Sequence, residues 1–250
     1  MIKKIILICL VFFTVFSMPG NAQNAKEIVK TSYDKMHGET LKSELTIKIV
    51  RPDWSREMGA KVWLKGDNYS MILITSPSKD EGTAFLKIKK EVWNWIPSVE
   101  RTIKLPPSMM SQSWMGTDFT NDDLVKEVSI VEDYTHTLLG TEKIGSYDCY
   151  KIEMVPKSGT SIVWGKIITW IGKDNYLQIL SEFFDEDGAL VNTMKSSNIK
   201  KMGGRVIPLR YDMIPADKKG HSTVLSYTSI VFNDNIDDGF FTVKNMKELK

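Results

Sequence analysis

The chain has 250 residues and a formal net charge of +2. No basic face stands out, which excludes a nucleic-acid partner. Its two cysteines, Cys9 and Cys149, exclude a disulfide framework, which a chain of this length does not need in order to bury a core.

The N-terminus has the layout of a secretory leader. Lys3 and Lys4 precede an apolar run from Ile5 to Phe16, followed by Ser17, Met18, the breaker pair Pro19-Gly20 and the small-x-small step Gly20-x-Ala22. A membrane anchor would need ~20 apolar residues, more than this run supplies. A lipidated cysteine would need small residues before it, whereas Cys9 lies in the middle of the apolar run. The expected division is a signal peptide over 1–22, cleaved near Ala22, and one exported domain over 23–250. Loss of Lys3 and Lys4 leaves 31 basic and 31 acidic residues, so the mature chain is neutral. Cys149 then remains as a single cysteine in the strand-like run YDCYKIEM. It reads as a buried thiol, since a catalytic one would want a nearby His or cation.

Residues 24–37 place Ala25, Ile28, Val29, Tyr33 and Met36 at helical spacing, with Asn24 and Glu27 as a capping box and Gly38 as a stop. The pattern then changes to period two. Leu45, Ile47 and Ile49 alternate with Glu44, Thr46 and Lys48, and similar runs follow to about residue 233. Hairpin turns are expected at Gly66-Asp67-Asn68, Lys173-Asp174-Asn175, Asp187-Gly188 and Gly203-Gly204. A short helix is expected over 120–127, capped by Thr120 or Asn121.

The pattern predicts a mainly β chain: an N-terminal helix, then about ten or eleven mostly antiparallel strands. So long a meander closes into a barrel, folds into a sandwich, or curls and leaves a concave face that needs cover. Several strands are apolar on both faces: Tyr69, Met71 and Leu73 against Ile72 and Ile74, and Val163 and Ile167 against Trp164, Ile168 and Trp170. Both faces of the sheet are therefore expected to be covered.

Little in the chain points to catalysis. His37, His136 and His221 are not paired at metal-ligand spacing, and Asp185-Glu186-Asp187-Gly188 reads as a turn rather than a calcium loop. The GxSxG, HExxH, Walker A and GxGxxG patterns are absent. The expectation is a protein with no catalytic residues, no metal and no cofactor.

The most distinctive stretch is EVWNWIPSVERTIKLPPSMMSQSWMGTDFTNDD, residues 91–123. Trp93 and Trp95 fall on one face of a strand, Pro97-Ser98 turns the chain, and Pro106-Pro107 ends pairing. Two readings of Met109, Met110, Trp114 and Met115 stand side by side. They plug the barrel, or they form an adaptable lid over an apolar cavity, to which soft thioether and indole side chains are suited.

This run, with VRPDWSREM upstream and NYLQILSEFFDEDG downstream, resembles the LolA-like outer membrane lipoprotein-sorting protein family over about residues 25–247. The resemblance implies an unclosed, strongly curved antiparallel β-barrel with short lid helices and an apolar concavity. It implies a periplasmic carrier or chaperone for the acyl chains of lipoproteins or lipids, with transfer toward the outer membrane. An acylated lipoprotein or lipid would be the cargo, and an inner-membrane transporter or efflux system a partner. An interaction module or transporter subunit with a plugged cavity is the alternative. LolA closes its cavity with an arginine bonded to lid carbonyls; Arg51, Arg56 and Arg101 are the candidates by chemistry, and Arg101 is the one put forward. Trp93, Trp95, Met109, Met110, Trp114, Met115 and Phe119 are the residues expected at the cavity or lid.

Overall fold

The structure is a computed structural model that describes residues 20–126, 130–160 and 162–249. The expected leader falls outside the described residues up to residue 19. No helix among the described residues is long and apolar enough to cross a membrane.

Helix α1 (Gly20–His37) opens the chain, starting earlier than the expected residue 24. It stops where expected: the Gly38 amide donates to the Asp34 carbonyl at 3.0 Å, with Gly38 at φ +64°. A side chain there would be strained in that backbone conformation, and its Cβ would lie 2.6 Å from the Asn233 side-chain oxygen. Arg205 also donates to the last helical carbonyls, Asp34 at 2.8 Å and Lys35 at 2.9 Å, where the helix dipole favours a cation.

Thirteen strands follow among the described residues: β1 (Thr40–Val50), β2 (Ser55–Lys65), β3 (Tyr69–Ser76), β4 (Ala84–Ile88), β5 (Glu91–Ile96), β6 (Arg101–Lys104), β7 (Tyr134–Ile144), β8 (Tyr147–Pro156), β9 (Lys166–Gly172), β10 (Gln178–Phe184), β11 (Leu190–Met202), β12 (Arg205–Pro215) and β13 (Ser222–Phe232). A short helix α2 (Val243–Glu248) closes the chain. The strands form one antiparallel sheet in the order β6-β5-β4-β3-β2-β1-β13-β12-β11-β10-β9-β8-β7. The count exceeds the expected ten or eleven because even the four-residue β6 pairs, from Trp93↔Lys104 to Ile96↔Arg101.

That order decides where everything else lies. The sheet begins at its centre with β1 and grows outward to the edge strand β6. The chain then crosses to the far edge, β7, and works back until β13 pairs with β1, Leu41↔Phe232 to Val50↔Ser222. β6 and β7 are the two ends of the sheet, so the curved sheet stays unclosed, as the resemblance implied.

Its inner face is largely apolar and is covered by two different elements. Leu45, Ile47 and Ile49 of β1 point inward with Met58, Ile72, Ile74, Phe85 and Val92, and meet Met110 and Trp114 of the crossing segment. On the other half, Ile152, Met154, Ile167, Ile171, Phe183 and Met213 meet Ala25, Ile28 and Val29 of α1. The outer face of β3–β4, through Met71, Leu73, Ala84 and Leu86, is covered by Ile236, Phe241 and Met246 of the C-terminal segment. Strand β3 is thus apolar on both sides, as expected, because each side has its own cover. One expected pairing of faces is corrected. Trp164 packs on the same side as Ile167, because β9 begins only at Lys166 and Gly165 bends the chain before it.

Cys149 is fully buried on the outer face with Trp170, Leu177 and Ile179, and burial pushes its thiol pKa up. Its chemistry is that of an inert core residue.

Gly165 holds the bend by close approach. A Cβ there would meet the Asp185 carbonyl oxygen at 2.2 Å, a contact with backbone rather than with a yielding side chain. Gly165→Ala should therefore cost about 2 kcal/mol in urea denaturation. A cost near zero would mean that the β10–β11 turn moves freely.

Candidate functional site

The crossing segment from Leu105 onward carries the Met and Trp residues into the concavity. Pro106 and Pro107 end the β6 ladder, and Pro107–Met109 forms a 3-10 turn. A compact loop follows, tied by its own backbone: the Trp114 amide donates to the Phe119 carbonyl at 2.9 Å, and the Thr117 amide to the Trp114 carbonyl at 2.9 Å. The Asn121 side-chain amide donates to the Met109 carbonyl at 2.8 Å.

Trp114 is 1% exposed, with its ring 5.4 Å from that of Phe85. Its indole N–H has no acceptor within hydrogen-bonding reach among the described residues. An orphaned buried donor costs about 1–3 kcal/mol. The seated loop bears that cost, and a loop lifted into water would not.

Arginines hold the tip of this loop. Met115 and Gly116 adopt left-handed backbone, φ +50° and +80°. The Arg51 guanidinium, at the end of β1, donates to the Gly116 carbonyl at 2.9 Å and to the Asp118 carboxylate at 3.0 Å. Arg51 and Asp118 side chains are 11% and 6% exposed, so this ion pair is largely shielded from water. Asp118 also accepts from the Thr223 hydroxyl at 2.7 Å, and Asn192 donates to its backbone carbonyl at 3.1 Å. Arg56 adds a longer bond to the Met115 carbonyl at 3.3 Å. Arg101, the candidate put forward from sequence, is instead exposed on β6 opposite Ile96. Three arginines of equal chemistry could not be ranked without knowing which strand ends face the loop tip.

The far end of the loop is clamped by carboxylates. Thr120 caps the short π-helical turn Asp122–Lys126 reciprocally: its hydroxyl accepts from the Asp123 amide at 3.1 Å, and Asp123 accepts from the Thr120 amide at 2.8 Å. The other Asp123 oxygen accepts from the Trp164 indole at 2.8 Å. Desolvation raises the Asp123 pKa to about 6 against these hydrogen bonds, which lower it, and the neighbouring Asp122 raises it further. Burial also pushes the Tyr134 hydroxyl up, reinforced by Asp122 and Asp123.

Two spaces adjoin this segment. Beneath α1 lies a cavity of about 200 Å³, walled by Val29, Phe119, Ile171, Met194 and Met213 among others. At the seam between the two sheet edges lies a larger cleft of about 900 Å³, floored by Val92, Leu105, Pro107 and Met110. Met110 therefore belongs to the cleft and Phe119 to the cavity, and Trp114 fills the concavity between them in sequence.

The expected residues are thus divided. Met109, Met110, Trp114 and Met115 gather on the inner core of the β1–β5 half, and Phe119 lines the cavity. Trp93 and Trp95 are corrected: both face the outer side and pack on the cluster beneath α2, where Lys247 lies 5.4 Å from the Trp95 ring. Their partner on the same strand, Val92, is the inward one. Sequence reasoning missed the α1 and β9–β12 walls of the cavity, although Val29 and Met36 already stood at helical spacing.

The latch and the clamp yield two expectations. Arg51→Ala leaves Asp118 buried without its cation and should cost about 3 kcal/mol in chemical denaturation. Asp123, with a folded pKa above its ordinary 3.8, holds a proton that the unfolded chain has lost. Its contribution to stability is therefore most favourable below about pH 4 and falls away as pH rises through about 6. Relative to Asp123→Asn, the wild type should gain stability as pH falls through this window. A difference that does not change with pH would show that the carboxyl is well solvated.

Known proteins share this arrangement. A family model described as that of an uncharacterised-protein-like family matches residues 66–248. The LolA superfamily protein NE2245 from Nitrosomonas europaea is 26% identical, superposes with a TM-score of 0.77, and is matched over 88% of this chain and 98% of its own. A DUF1329 family protein from Desulfovibrio piger is 21% identical with a TM-score of 0.81, over 90% and 99% of the two chains. A candidate outer membrane lipoprotein-sorting protein domain from Vibrio parahaemolyticus is 22% identical with a TM-score of 0.79, over 91% and 100%. No curated protein matches the chain. The chain belongs to the family of uncharacterised proteins whose model its residues 66–248 match, and it has the fold of the LolA superfamily.

Proposed function

We propose that this protein is a periplasmic carrier that shields the acyl chains of a lipoprotein or lipid within its concave face, without catalysis. The observation that carries this reading is the cover of the inner sheet. An apolar surface fit for acyl chains is closed by a Met- and Trp-rich segment whose tip is held by hydrogen bonds from Arg51 to Asp118 and the Gly116 carbonyl. Each methylene withdrawn from water contributes about 0.8 kcal/mol, so a partly enclosed chain suffices for useful affinity. The segment reaches from the seam cleft at Met110 to the cavity wall at Phe119. Lifting it would join the two spaces into one channel under α1.

A second reading is favoured by one observation, the near-complete burial of Trp114. With the segment seated permanently, the protein would be an interaction module of a membrane transporter and its concavity a core. The resemblance and the solved lipoprotein-sorting relatives support the carrier.

The two readings diverge on filling the cavity. Met194 lies on β11, partly buried on the cavity wall. Met194→Trp should lower the affinity for cis-parinaric acid, a fluorescent fatty acid, by about tenfold while the melting temperature changes little. Unchanged parinarate binding would rule out the cavity as the acyl site, and absence of binding by the wild type would favour the module.

A further inference from the structure

The seam cleft has a charge pattern that acyl-chain burial alone does not require. Its floor is apolar, through Val92, Leu105, Pro107 and Met110, and its rim is built from lysines. Lys89 and Lys90 occupy the tight β4–β5 turn, both exposed, and the turn is fixed by the Lys89 amide donating to the Asn68 carbonyl at 2.6 Å. Lys87, on the inward face of β4 with Phe85, is 5% exposed and lines the cleft wall. Lys104, at the end of β6, completes the set and is paired with Glu91.

Three carboxylates, Glu91, Asp67 and Asp133, also line the cleft and keep their charge, so its cationic side is the β4–β5 turn, where Lys89 and Lys90 make no ion pair among the described residues. Glu91 is engaged by Lys104, and Asp67 accepts a hydrogen bond from the Tyr33 hydroxyl at 2.8 Å. Asp133, just before β7, faces the lysines from the opposite lip, together with uncharged Gly159, Thr160 and Ile162. An apolar floor beside a one-sided cationic rim is complementary to an amphiphile with a negative head. The cleft volume of about 900 Å³ also lies within the range of small-molecule sites.

We infer that the seam cleft selects anionic amphiphiles: a carboxylate or phosphate head rests at Lys89 and Lys90, with the start of its chain on Val92, Leu105 and Met110. This rests on the carrier reading and adds to it the charge of the cargo and the point at which the head is held. An exposed lysine pair attracts through a screened field, so the selectivity should weaken as salt rises.

The test compares cis-parinaric acid with its uncharged methyl ester on the full mature chain. The acid should bind more tightly than the ester, and the double variant Lys89→Glu/Lys90→Glu should weaken the acid by about fivefold or more while leaving the ester unchanged. The variant Lys200→Glu/Lys201→Glu carries the same charge change at exposed sites on β11, outside the cleft, and should bind the acid as the wild type does. Inorganic phosphate at equal concentration should not displace the acid, since it lacks a chain. Equal affinity of acid and ester for the wild type would overturn the head-group inference and leave the carrier intact. So would an equal loss in both lysine variants, or displacement by phosphate alone. Failure of both probes to bind would remove the carrier reading and this inference with it.

Discussion

The structure depends on one topological constraint. A meander that starts at the centre of its sheet and runs out to one edge must carry the chain to the other edge before it can return. In a curved, unclosed sheet the path taken lies over the concave face, so residues between β6 and β7 become its cover. Apolar inward rows on β1–β5 then demand an apolar crossing segment, and Met110 and Trp114 answer that demand. Concentration of Met and Trp in one connection is therefore a consequence of strand order as much as of any ligand.

The cover is held in a way that differs from an ordinary core. Its contacts with the sheet are apolar, but its ends are fixed by a few charged or polar bonds: Arg51 with Asp118 and Gly116 at the tip, and Asp123 with Trp164 beyond it. Burying Asp123 raises its pKa to about 6, and seating Trp114 leaves an indole N–H without an acceptor. Both are costs of the closed arrangement, and neither is needed to fill space. A core built only for stability would pair or remove a donor such as the Trp114 N–H.

Much of the fold was legible in the sequence because the period-two pattern is local. Leu45, Ile47 and Ile49 alternate cleanly, Gly38 ends α1, Thr120 caps its turn, and the hairpin turns lie where glycine and asparagine place them. The two-sided strand β3 correctly announced cover on both faces. What the pattern does not contain is the long-range order of the strands. Trp93 and Trp95 share a face with each other, but which face is inner depends on how β5 pairs with β4, and Val92 proves to be the inward residue. The choice among Arg51, Arg56 and Arg101 was hidden for the same reason, since only tertiary structure brings the end of β1 to the loop tip. The walls given by Met194 and Met213 come from strands far along the chain, and no local signal joins them to Phe119.

The two covers also explain where empty space remains. A helix is a rigid cylinder about 10 Å across, and its side chains meet a curved sheet along a stripe rather than over its whole width. An irregular loop rich in Met and Trp can follow the concavity, because thioethers and large rings adapt to uneven surfaces. Trp114 is 1% exposed against the β1–β5 half and a cavity of about 200 Å³ remains under α1, while the larger cleft of about 900 Å³ opens at the seam beside Met110. The concave face thus holds a cavity under α1 and a cleft at the seam, and the segment from Met110 to Phe119 runs between them.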